Sequence, residues 1–195
     1  MALKLSVKIG DVTNLSDARY AAGMGVDFIG FNIDPESTHF VTPEVFNEIV
    51  NWVSGVGIIG EIGNNLPENI NDFGAVLIET SNPEFSEEWK EYVLRITKEQ
   101  FQLTEISEKL AQFPSARFYV IEVTPHAIIN NPEELKNICD KYPIYLSTDF
   151  NEELLDIVVN HVKPTGIEIK GGLEEQPGFK DYDGIADVLE WLETD

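Results

Sequence analysis

Short apolar runs recur along the chain at an even spacing, and most are followed by a stretch with helical periodicity. The runs cover 3–9, 26–33, 56–62, 75–78, 92–96, 118–123, 144–146 and 166–169. Several are unbroken and rich in β-branched residues, which suits strands buried on both faces of a parallel sheet. Asn14-Leu-Ser-Asp opens a helical segment with Ala18, Ala21 and Ala22 on one face. Thr42 reads as an N-cap with Pro43 at the first helical position, ahead of a stripe of Val45, Phe46, Ile49, Val50 and Val53. Asn131-Pro-Glu-Glu starts another helix in the same way, carrying Leu135, Ile138 and Cys139, and 151–162 and 183–192 supply the last two. Eight strands alternating with about as many helices predict a compact (β/α)8 TIM barrel, a single domain over 1–195. An open doubly wound sheet has fewer strands, and no Gly-x-Gly-x-x-Gly follows the first run.

Charge narrows the function. The 195 residues carry 35 acidic against 13 basic side chains, a formal net charge of -22. Such a field repels phosphate backbones and anionic lipid, so no nucleic-acid or membrane partner is expected. One cysteine excludes a disulfide framework and a cysteine-rich zinc site. No run approaches the ~18 apolar residues of a membrane span. The first residues alternate like a strand rather than forming a signal peptide, so a cytoplasmic location is expected.

In a barrel, chemistry sits where strands end. Those positions hold Lys8 and Asp11, Asn32 and Asp34, Glu61, Glu79, Arg95, Glu122, Thr148 and Asp149, and Glu168 and Lys170. Every end except that of Arg95 offers a carboxylate. Glu61, Glu79, Glu122 and Glu168 lie in or against apolar runs, where a carboxylate needs a partner or a shifted pKa, so together they suggest a site. Gly171-Gly172 after the last run permits close backbone approach, a place where barrels often bind phosphate, with Lys170 adding charge. His126 and His161 carry little signal. Cys139, Trp52, Trp89 and Trp191 read as packing residues on helices.

These pieces together resemble the phosphoribosylanthranilate isomerase family, the small barrel of tryptophan biosynthesis. Val7-Lys-Ile-Gly-Asp-Val-Thr-Asn-Leu-Ser-Asp-Ala is similar to the family's Val-Lys-Ile-Cys-Gly-Leu-Thr-Asn-x-x-Asp-Ala. Gly25-Val-Asp-Phe-Ile-Gly-Phe-Asn resembles its second strand, and Asp34-Pro-Glu-Ser-Thr-His-Phe-Val-Thr-Pro-Glu its Pro-x-Ser-x-Arg-Tyr-Val-Ser-Pro-Glu. Glu168-Ile-Lys-Gly-Gly-Leu-Glu and Pro177-Gly-Phe-Lys-Asp resemble its Asp-Val-Ser-Ser-Gly-Val-Glu and Pro-Gly-x-Lys-Asp. The resemblance implies a TIM barrel, an aldose–ketose isomerisation of N-(5'-phosphoribosyl)anthranilate, a small phosphorylated substrate and no cofactor.

Departures fall where the family does its chemistry. Its base cysteine is matched by Gly10, with Asp11 beside it as the candidate replacement. Its acid is matched by Glu122. His39 stands for the arginine that grips the substrate carboxylate, and a histidine lacks the planar fork. Thr148-Asp149-Phe-Asn replaces Gly-Gly-Leu-Asn of the phosphate cradle, and Leu77-Ile-Glu-Thr, which contains Glu79, replaces Gln-Leu-His-Gly. The expected roles are therefore catalytic for Glu122 and Asp11, and substrate-binding for Lys8, His39, Glu79, Asp149, Glu168, Lys170, Gly171 and Gly172. No carboxylate spacing forms a metal motif. The alternative is a different enzyme, or a non-catalytic binding protein, on the same barrel. It would recognise a polyhydroxylated, cationic or metal-bound small ligand through the acidic strand ends.

Overall fold

Eight strands pair in parallel and in chain order, and the last closes on the first. They are β1 (Ser6–Gly10), β2 (Phe28–Asn32), β3 (Gly57–Ile62), β4 (Leu77–Thr80), β5 (Tyr92–Ile96), β6 (Ala116–Glu122), β7 (Ile144–Ser147) and β8 (Gly166–Lys170). The structure is a computed structural model that describes residues 2–63, 65–75, 77–82, 84–85, 89–171 and 183–194. Each strand falls on one of the apolar runs; the fourth lies about two residues later than the run suggests, because Glu79 and Thr80 are buried strand residues despite their polarity.

Side chains alternate between the two faces of a strand. Residues of one parity pack outward against the helices, as Val7, Ile9, Ile29, Phe31, Leu94 and Ile121 do in the main core. The other parity fills the barrel. At the N-terminal end this filling is apolar: Ile59, Leu77, Val93, Phe118, Val120 and Tyr145 form a separate cluster, with Phe28 against it. Two residues further along the same strands, the interior becomes ionic with Glu61, Glu79, Arg95 and Glu122. Pairs between non-neighbouring strands, such as Lys8 on β1 with Glu79 on β4, can only form across the barrel interior.

The helices begin where the capping chemistry says. Asn14 accepts from Asp17 N–H at α1 (Leu15–Gly23), and Thr42 from Val45 N–H at α2 (Pro43–Val50). After β5 comes α3 (Ile106–Ala111), and Thr124 caps α4 (Pro125–Asn130), a turn that the apolar spacing had not marked. Asn131 does not cap α5 (Pro132–Cys139); its Nδ2 donates back to the Ala127 carbonyl, so it finishes α4 instead. Asn151 caps α6 (Glu152–Ile157), which runs on as a π-helical turn to Val162 and stops at left-handed Lys163. The last helix is α7 (Asp183–Leu192).

Seven α-helices among the described residues accompany the eight strands, about as many as expected. After β3 the described residues hold a single 3-10 turn, Ile70–Asp72, and between Thr80 and Tyr92 they hold no α-helix. Short connections after β3 and β4 help a closed barrel fit in a chain shorter than the usual ~250 residues. Among the described residues, no helix is long and apolar enough to cross a membrane.

Candidate active site

At the C-terminal mouth, four carboxylates and three cations interlock. Lys8 Nζ lies 2.5 Å from Glu61 Oε1 and 2.9 Å from Glu79 Oε2, and it also bonds Glu168. Arg95 reaches three acids with its fork: Nε to Glu79 at 2.6 Å, Nη1 to Glu122 at 2.8 Å and Nη2 to Glu168 at 2.5 Å. Lys170 Nζ closes the outer edge, 2.9 Å from Glu122 Oε1. Lys8 and Glu168 are wholly buried, and exposure grows outward to 17% at the Glu122 side chain and 51% at that of Lys170.

Registry explains the assembly. Lys8 is level with Glu168 on the adjacent strand, Asn32 with Glu61, and Glu61 with Glu79. Three acids so close would repel; Glu61, Glu79 and Glu168 each place a carboxylate oxygen within 4.8 Å of the others. Lys8 supplies the cation they need, so the trio is held by the chain's own ammonium.

This arrangement separates the proton affinities. Burial works against the charge on Lys8, but Glu168, Glu61 and Glu79 outweigh it and hold the ammonium well above its ordinary range. Burial likewise opposes ionised Glu168, yet Arg95 and Lys8 keep its carboxyl well below the usual carboxylate range. Glu122 is lowered too, despite partial burial, by the Lys170 hydrogen bond and the Arg95 charge. Glu61 goes the other way: burial, aided by Glu79, Asp11 and Glu168, overrides Lys8 and pushes it up to about 7.

On the β1–β2 side, Asp11 has a left-handed backbone, φ 54°. Its N–H donates to Glu61 Oε2 at 3.0 Å, while its Oδ1 accepts from Asn32 Nδ2 at 3.3 Å and lies 3.5 Å from His39 Nδ1. Gly10 leaves space that its neighbours use. A Cβ there would stand 2.8 Å from Glu61 Oε1 and 2.9 Å from Glu168 Oε1, and one at Gly30 would overlap the Glu61 carboxylate. The space that a side chain at position 10 would take is therefore occupied by carboxylates. The substitution Gly10→Cys is expected to lower stability by about 1–3 kcal/mol through overpacking. An unchanged melting temperature would mean that Glu61 and Glu168 can withdraw.

On the opposite side a cavity of about 430 Å³ opens at the ends of β6, β7 and β8. Glu122, Lys98, Lys170 and Asp149 line it with charge, and Phe150, Ile169, Ile185 and Val188 with apolar surface. Lys98 N–H also donates to Glu122 Oε2 at 3.3 Å.

Lys8, Glu79, Glu122, Glu168 and Lys170 are thus brought into one network. Asp11 and His39 form a neighbouring group, and Asp149 is separate, on the cavity wall. The Gly171 N–H donates to the Gly10 carbonyl at 2.8 Å, which ties β8 to β1 and takes up a donor expected for phosphate. Gly172 lies outside the described residues. Arg95 was not assigned a role from sequence, and Glu61 only a shared one among the acidic strand ends. For Arg95 the signal was the exception itself: its strand is the one end without a carboxylate, and a ring of buried acids needs a counter-charge. For Glu61 it was the pair of glycines on the two preceding strands, Gly10 at the end of β1 and Gly30 in the middle of β2.

No family model matches the chain. Curated relatives do. The N-(5'-phosphoribosyl)anthranilate isomerase of Aquifex aeolicus is 25% identical over 197 aligned residues, covering 95% of this chain and 97% of the relative. Among solved structures, phosphoribosyl anthranilate isomerase from Thermus thermophilus superposes with a TM-score of 0.75 at 20% identity, over 96% of this chain and 98% of that one. Another phosphoribosyl anthranilate isomerase, in complex with reduced 1-(o-carboxyphenylamino)-1-deoxyribulose 5-phosphate, superposes at 0.71 with 22% identity, over 95% and 97% of the two chains.

Proposed function

We propose that this chain, a diverged member of the phosphoribosylanthranilate isomerase family, performs that family's reaction type at its barrel mouth. The reaction is an Amadori rearrangement of a phosphorylated aminoaldose, N-(5'-phosphoribosyl)anthranilate, to an aminoketose. It needs an acid for the ring oxygen and a base for the C2 proton. The observation that carries the reading is the cavity at the ends of β6–β8, with Glu122 on its wall and Lys98 and Lys170 beside it. Glu122 is the acid. In the free protein Lys170 and Arg95 hold it ionised. A phosphate entering the cavity competes for Lys170, which relaxes that hold and lets Glu122 take up the proton it must deliver. The base comes from the Asp11 and Glu61 carboxyl groups across the mouth.

Carboxyl groups stand here in place of a thiol as the base. Turnover of freshly generated phosphoribosylanthranilate is expected, at a rate below that of a thiol-bearing relative assayed alongside. Glu122→Gln should bring it to background. No turnover by folded wild-type protein, or turnover indifferent to Glu122→Gln, would sink the reading.

Asp149 favours a second one. Its carboxylate sits on the cavity wall, where a phosphate dianion would meet repulsion of order ~1 kcal/mol per charge pair in water. A cationic or polyhydroxylated ligand in the same cavity would meet none. Binding of such a ligand by protein inactive in the isomerase assay would select this reading.

A further inference from the structure

Within the pair of carboxyl groups on the β1–β3 side, the two have different surroundings. Asp11 is held by Asn32 and lies beside His39, and its backbone N–H is committed to Glu61. Glu61 extends from β3 across β2 and β1, through space that glycines at 30 and 10 leave open. Its Oε1 stands 2.8 Å from where a Cβ of residue 10 would be. The side chain keeps 9% exposure, whereas Lys8 and Glu168 beneath it have none. Of the three acids around Lys8, Glu61 therefore has the largest solvent-facing surface.

We propose that Glu61 is the catalytic base of the mouth, with Gly10 and Gly30 providing its seat and Asp11 acting as its positioning residue. The inference rests on the isomerase reading above. In the step, the Glu61 carboxylate takes the C2 proton of the ring-opened iminium. The C2–H electron pair becomes the C1=C2 bond, and the C=N pair moves to nitrogen. Return of a proton to C1 and loss of the enaminol hydroxyl proton complete the ketose, so nothing is consumed.

The neighbours suit the role. Lys8, from β1, donates to the carboxylate, and the Asp11 N–H fixes its second oxygen. Against that stand the negative charges of Glu79 on β4, Glu168 on β8 and Asp11 itself, while Arg95 on β5 is spent on Glu79, Glu122 and Glu168. Glu168 and Glu122 are pinned in the ionised form by two cations each, whereas Glu61 has one. A carboxyl left near neutral proton affinity is suited to accept and release a proton at working pH.

The test is the pH dependence of kcat/KM for phosphoribosylanthranilate, with wild type, Glu61→Gln and Asp11→Asn, alongside carboxyl ¹³C titration of wild-type Glu61. Expected is a rate that rises with pH through about 7, in step with the Glu61 titration. Glu61→Gln should lose that limb and ~10²–10⁴-fold in kcat/KM, and Asp11→Asn should keep the limb but move it to lower pH. Turnover that survives Glu61→Gln overturns the proposal and leaves the isomerase reading standing. If Glu61→Gln does not fold, a wild-type limb that fails to coincide with the Glu61 titration overturns it equally. No turnover by wild type between pH 5 and pH 9 removes the isomerase reading, and the proposal with it.

Discussion

Lys8→Met is expected to destabilise the protein by about 3–5 kcal/mol, the cost of removing one partner from a buried ion cluster. For a domain of this size that corresponds to a fall in melting temperature on the order of 10 °C. Lys8 is fully buried and faces Glu61, Glu79 and Glu168 together. Methionine fills similar volume, so packing is nearly conserved and the loss is electrostatic. Arg95 still holds Glu79 and Glu168, but Glu61 keeps no cation. The double variant Lys8→Met/Glu61→Gln should therefore recover part of the loss, a coupling that a cavity effect would not produce. Melting of the two variants side by side decides it: a loss below about 1 kcal/mol for Lys8→Met would mean that the acids protonate or hydrate freely.

Stability should also fall as pH rises from about 5 to about 8, the reverse of the usual carboxylate effect. Glu61 has its pKa raised in the fold from 4.5 to about 7. Between those values the folded state binds the extra proton, so folding is penalised progressively as pH climbs, by on the order of 3 kcal/mol once both states are ionised. Glu168 and Glu122 have the opposite sign. Their depressed values add stability above about 4.5 that is lost as pH drops below it. The two trends place the maximum between about pH 4.5 and 6. The net charge of -22 repels itself more as acids ionise and acts in the same direction on the alkaline side. Thermal unfolding across pH 4–9 should show the slope, and Glu61→Gln should flatten it. A slope unchanged in that variant would leave surface repulsion as its whole cause.

Much of the barrel was legible in the chain. Strands such as Tyr92–Ile96 and Ile144–Ser147 are short apolar runs whose ends are marked by polar residues, and Asn14, Thr42 and Asn151 announce their helices. Period-two alternation and capping are local, so they survive without knowledge of neighbours. Asn131 shows the limit: the same residue type before Pro-Glu-Glu turned its side chain back to Ala127, because α4 had just ended there.

The site divides in the same manner. That carboxylates gather at the strand ends, that Gly10 carries no side chain and that Lys8, Glu122 and Lys170 stand near the mouth are properties of the order of residues. Which acid meets which base is not. Lys8 to Glu168 spans nearly the whole chain, Arg95 takes three acids from three strands, and Glu61 lies over glycines that belong to two other strands. Strand alternation determines that these side chains point inward, but only closure of the barrel sets the distances between them. Those distances decide that Glu168 stays ionised while Glu61, made of the same atoms, holds a proton near neutrality.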